Sequence, residues 1–215
     1  MKPLFSDSLL ADVRAEVAAE VERHYGNLGT GVCIQFAAHA QRAFRRRGYE
    51  PIIQAGSCAW RATALDQPNT DADPAYFGYE WSPSDIRSVA SVYAGAMPEM
   101  HVWLGFRSNG DWLLDFTACL FPAQRVKITD KPWTGPLPPE VYFAQARRRF
   151  GPLEEEGELC WYRPELQACV FTHLLVKDHW HGNRLDTRTL DADRIFRFLA
   201  AIQARFPEPR GDTNE

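Results

Sequence analysis

The sequence predicts an α+β domain in which a helix bearing a cysteine packs on an antiparallel sheet. Three observations point there: helical apolar spacing at both ends of the chain, a glycine-rich break ahead of a second amphipathic helix, and a hairpin signal near the middle. Over residues 8–24, Leu10, Val13, Val17 and Val21 recur at helical spacing, and Ser6 or Ser8 stands ready as N-cap. "YGNLGTG" then stops the helix, because clustered glycines lose too much backbone entropy to stay helical. A second helix is expected to open near Val32. Cys33, Phe36, Ala37, Ala40 and Phe44 form one continuous inward face, Gln35, Arg42, Arg45 and Arg46 occupy the rest, and Gly48 marks the end.

"YEPIIQAGSCAWRATAL" has the β-branched and aromatic content of a strand. Residues 66–98 are punctuated by Pro68, Pro74, Pro83 and Pro98 and read as a long excursion holding at most one strand and one short helix. "MHVWLGFRSNGDWLLDFTACLF" gives two apolar runs joined through Ser108-Asn109-Gly110, a hairpin signal with Cys119 closing the second strand. Downstream, "KPWTGPLPPEVYFAQARRRFGP" reads as a proline-rich connector with a short helix from Pro139 or Glu140. "ELCWYRPELQACVFTHLLV" suggests a second hairpin, and residues 191–206 carry Ile195, Phe196, Leu199, Ile202 and Phe206 at helical spacing. The expected organisation is one domain over residues 1–207, with 66–98 as an insertion and 208–215 as a solvated tail.

Composition narrows the function classes. The 215 residues, 45% hydrophobic and 24% charged, suffice for one substantial core. A net charge of -4 supplies no general field for nucleic acid or anionic membrane, and the two "RRR" clusters fall where helix ends favour cations. The N-terminal stretch turns acidic early and no run approaches about 20 apolar residues, so neither a secretory signal nor a membrane span is expected. Five cysteines in irregular spacing describe no disulfide framework, which fits a reducing, cytoplasmic setting. Cys160, Cys169, His173, His179 and His181 cluster late but lack CxxC or HxxxH spacing, so no metal is assigned; His24 and His39 are expected at helix surfaces or ends.

The chemistry-bearing residues are Cys33, His101 and Asp115. A thiolate is favoured at the positive end of a helix, and Cys33 sits there. A nucleophilic cysteine needs an imidazole, normally oriented by a carboxylate or amide. His101 begins the first hairpin strand, and Asp115 interrupts the apolar run "WLLDFTA", where a buried carboxylate requires a partner. A turn centred on Asn109-Gly110 sets His101 opposite roughly residue 118, so the two meet only through a bulge or an offset. Cys58, in "GSCAW", has no amphipathic helix after it and reads as strand packing.

On these residues the chain resembles the transglutaminase-like branch of the papain-fold cysteine enzymes and a bacterial family within it: a cysteine opening a helix, then a His-x-Trp strand, a turn and an Asp strand. His101, Trp103 and Asp115 match the His-x-Trp and Asp positions, and Cys33 matches the nucleophile, over about residues 30 to 120. Arylamine N-acetyltransferases and the leader-cleaving proteases of lasso-peptide biosynthesis share that order. The resemblance implies a papain-like fold and a Cys33, His101, Asp115 triad. It also implies oxyanion or substrate-binding places for Asn27 and Trp103, with the Cys33 backbone N–H as the other oxyanion donor. The expected activity is hydrolysis of an amide or peptide bond through an acyl-enzyme, without a cofactor, on a peptide or an amide-containing small molecule. Acyl transfer, or an inactive binding module on the same scaffold, are the alternatives.

Overall fold

The computed structural model describes residues 4–26, 32–70, 73–81, 99–107, 112–145, 159–182 and 184–185, with five helical positions between 197 and 205. Helix α1 (Asp7–Tyr25) starts where the Ser6 side chain accepts from the Leu9 N–H, and it ends at Gly26, whose φ of 76° suits glycine. Its buried stripe is Leu10, Val13, Val17 and Val21, as the spacing predicts. Helix α2 (Cys33–Arg46) buries Phe36, Ala37, Ala40 and Phe44 on the expected face, and Gly48 follows it at φ 81°. Glu16 of α1 pairs with Arg46 and Arg47, tying the two helices at their solvent side.

Strands β1 (Ile52–Arg61), β2 (Tyr76–Tyr79), β3 (His101–Phe106), β4 (Trp112–Asp115), β5 (Tyr142–Gln145) and β6 (Cys160–Pro164) form one antiparallel sheet in the order β2-β1-β3-β4-β5, with β6 also paired to β1. A 3-10 turn (Ala118–Leu120) leads into helix α3 (Phe121–Thr129), and helix α4 (Leu166–His179) precedes the short pair β7 (Trp180–His181) and β8 (Arg184–Leu185). One face of the sheet bears Ile53, Ala55, Val102, Leu104 and Leu114 against α1, α2 and α4. The other gathers Cys58, Trp60, Trp103, Leu113, Phe121 and Tyr162 into a second, aromatic core. No described helix is long and apolar enough to cross a membrane.

Three expectations are corrected. The second half of "ELCWYRPELQACVFTHLLV" is α4 and not a strand; its buried Ala168, Phe171, Thr172 and Leu175 lie at helical spacing. Residues 142–145, expected in a helix, pair as β5 with β4. Cys119 lies in the 3-10 turn and not in a strand, because Pro122 at the start of α3 favours a helical first turn. The strand expected within residues 66–98 is β2, while residues 82–98, 108–111 and 146–158, and most of the 191–206 helix, lie outside the described residues.

Phe44 is wholly buried between the helices and the sheet, with its ring 5.0 Å from Phe5 and 5.1 Å from Phe106. Phe44→Ala is expected to cost about 3–5 kcal/mol of unfolding free energy in urea denaturation. A loss below about 1 kcal/mol would mean that α2 is not anchored as described.

Candidate active site

The site lies where the start of α2 meets the start of β3 and the end of β4. Helix α2 packs on β3. Its first residue is Cys33, and the N-cap Val32 offers no side-chain acceptor, so the first-turn N–H groups have no N-cap side chain covering them. Cys33 is half-buried, and beside it a void of about 10 Å³, room for roughly one water, is lined by Phe36, Ala37, Trp103, Asp115 and Thr117 among others.

The hairpin register brings His101 and Asp115 onto one face. Strands β3 and β4 pair Leu104 with Leu114, Gly105 with Leu113 and Phe106 with Trp112, one residue away from the register of a two-residue turn. Continued by one rung, this sets Asp115 across from Trp103, on the face that carries His101. The expected register would have set it across from Leu104, on the face toward the helices. The single-residue difference makes the contact direct and removes any need for a bulge.

His101 Nε2 lies 2.7 Å from Asp115 Oδ2, and both side chains are almost fully buried. Cys33 lies close enough to act on the ring, and with Nε2 engaged by Asp115 the nitrogen left to face it is Nδ1. Asp115 accepts on both oxygens. The Thr117 backbone N–H and hydroxyl reach Oδ1 at 2.7 and 2.9 Å, and the Tyr162 hydroxyl donates to Oδ2 at 2.8 Å. The imidazole sits in an aromatic box: Tyr79 stacks on it at 6.1 Å and 7°, and Phe121 meets it edge-on at 5.0 Å.

Burial alone would depress the His101 pKa, yet the Asp115 charge, the hydrogen bond to it and the contact with Cys33 raise it to about 10. Burial alone would raise Asp115, but His101, the Thr117 N–H and the Tyr162 hydroxyl hold it below the ordinary carboxylate range. The pair is therefore an imidazolium and a carboxylate at neutral pH. Such a pair can return a proton to a leaving group formed at a neighbouring nucleophile.

The structure joins His101 to Asp115 and sets Cys33 beside them, on the void that Asp115 also lines. Trp103, expected beside the substrate, is 2% exposed, and its indole N–H donates to Gln54 Oε1 at 2.9 Å while its ring lies 6.1 Å from that of His101. It backs the imidazole and is not open to solvent. Asn27 lies outside the described residues. Cys58 is fully buried in β1, and burial pushes its thiol well above the ordinary value; the thiols of Cys119 and Cys169 are also pushed up by burial. His39, expected near a surface, is buried 4.9 Å from the Trp180 ring, and desolvation lowers its pKa to about 4. Among the described residues no group of three or more His, Cys, Asp or Glu is arranged to hold a metal.

Thr117 and Tyr162 are the site residues that sequence reading misses. Thr117 had a local signal, since an Asp side chain commonly accepts from the N–H two residues on. Tyr162 had none, because it comes from a strand 47 positions away. No protein-family model, curated protein or solved structure matches the chain.

Folding raises the His101 pKa, so its stabilisation is complete below about pH 6.5 and is lost as pH climbs toward about 10. Folding lowers the Asp115 pKa, so its contribution is present above the ordinary 3.8 and is lost as pH falls. Asp115→Asn is therefore expected to cost about 3–5 kcal/mol at pH 6, with the gap to the unmodified chain narrowing from pH 7 to 10 in urea titrations. A gap independent of pH over that window would contradict a buried ion pair.

Proposed function

We infer that the chain is a cysteine hydrolase of papain-like architecture that cleaves an amide or peptide bond through an acyl-enzyme. The observation that carries this reading is the buried hydrogen bond between His101 and Asp115 with Cys33, the first residue of α2, close enough to act on the same ring. Cys33 opens α2, and His101 beside it carries the proton that a leaving group would need.

In the proposed reaction the Cys33 thiolate attacks the carbonyl carbon, forming the C–S bond, and the carbonyl oxygen takes the negative charge. The C–N bond then breaks as the Nδ1 proton of His101 passes to the leaving amine, leaving a thioester and a neutral ring. Water attacks the thioester next; His101 takes its proton, the C–S bond breaks, and the acid leaves with the thiolate restored. An amine in place of water turns the same sequence into acyl transfer. Asp115 stays ionised throughout and holds the ring so that Nδ1 faces the sulfur, a role its burial and its hydrogen-bond donors suit. The Cys33 backbone N–H, at the start of α2, is the donor we assign to the developing oxyanion.

Iodoacetamide labelling tests the nucleophile without knowledge of the substrate. At pH 6.5 Cys33 is expected to alkylate about tenfold or more faster than free cysteine, with the fast phase lost in Cys33→Ala and slowed in His101→Ala. Labelling of Cys33 no faster than free cysteine would leave the chain as a binding scaffold.

A further inference from the structure

We propose that Tyr162 is a positioning residue of the His101 and Asp115 pair: its hydroxyl, held in turn by the Trp60 indole, limits how far Asp115 can draw the shared proton away from His101 Nε2. The proposal rests on the reading of Cys33, His101 and Asp115 as one reactive unit, although its test needs no turnover.

Asp115 Oδ2 accepts two hydrogen bonds, from His101 Nε2 at 2.7 Å and from the Tyr162 hydroxyl at 2.8 Å. The polarity of the second is fixed. Trp60 Nε1 is a donor only, and it lies 2.8 Å from the Tyr162 oxygen, so the single phenolic proton is left for the carboxylate. The line runs from the Trp60 N–H to the Tyr162 O–H to Asp115, each donor polarising the next. Sheet geometry makes it. Tyr162 on β6 pairs with Cys58 of β1, and Trp60 lies two positions along β1 on the same face, within diagonal reach. The phenol cannot swing away: it is 8% exposed, stacked on Tyr142 at 5.7 Å and 11°, and met edge-on by Trp103 at 5.2 Å.

Two donors on one oxygen compete for its charge. In a buried aromatic surrounding, a carboxylate with a single donor pulls hard on that donor's proton, and an imidazole whose Nε2 proton is pulled away grips its Nδ1 proton more tightly. Removing the Tyr162 hydroxyl leaves the Thr117 contacts on Oδ1, so the carboxylate keeps its place while Oδ2 becomes more basic. The ring then releases its Nδ1 proton to a leaving amine less readily. A residue that only filled space would have no such effect when its oxygen alone was removed.

The test is NMR of histidine-labelled protein carrying Tyr162→Phe. The His101 Nε2 proton resonance is expected to move further downfield and the ring to keep its charge to higher pH than in the unmodified chain. Trp60→Phe is expected to shift both in the same direction by less, which keeps the proposal testable if the first variant does not fold. A folded Tyr162→Phe in which neither quantity moves overturns the proposal, as does a shift in the opposite direction. Alkylation of Cys33 separates the two readings: slow labelling with the NMR shift present defeats the nucleophile assignment and leaves the role of Tyr162 intact. Fast labelling with an unmoved resonance does the reverse.

Discussion

The buried contact between His101 and Asp115 is the interaction on which the arrangement of the site depends. Neither group can be charged alone in that place, because burial of an unpaired ion costs several kcal/mol. Together, with Thr117 and Tyr162 supplying donors, they hold a proton on the imidazole at pH values where a free histidine has lost it. Four segments must converge for this to happen: the start of β3, the end of β4 with the turn after it, the β6 strand, and the helix start that carries Cys33. The buried pair therefore acts as a lock on the topology as well as a chemical device, and a sheet paired differently would leave two unsatisfied charges in an aromatic core.

The two faces of the sheet divide the work. The face toward α1, α2 and α4 is aliphatic and aromatic packing, which anchors the helix whose first residue is Cys33. The opposite face holds the polar line from Trp60 through Tyr162 and Asp115 to His101 within a shell of aromatic rings. Cys33 belongs to the first layer and His101 to the second, and they meet because α2 begins where β3 begins. Cys33 is half-buried, whereas His101 is almost fully buried.

Much of this was legible in the sequence, for identifiable reasons. Helices α1 and α2 announce themselves by periodicity and by glycine stops, and Asp115 stood out as a carboxylate inside an apolar run. The hairpin was legible as an element, but its register was not, because one residue more or less in the turn changes the face of every side chain that follows. Helix α4 was misread because "ACVFTHLLV" is apolar enough to serve as a strand, although Ala168, Phe171, Thr172 and Leu175 already had helical spacing. Tyr162 was invisible since its partner is fixed only by the pairing of β6 with β1, a long-range fact that no local pattern encodes.

Active cysteine chemistry leaves a covalent trace. With an activated ester such as p-nitrophenyl acetate, a burst of about one equivalent of nitrophenolate per chain is expected, with an acetyl group recovered on the peptide containing Cys33. Steady release without a burst, or acetylation found on another residue, would contradict it.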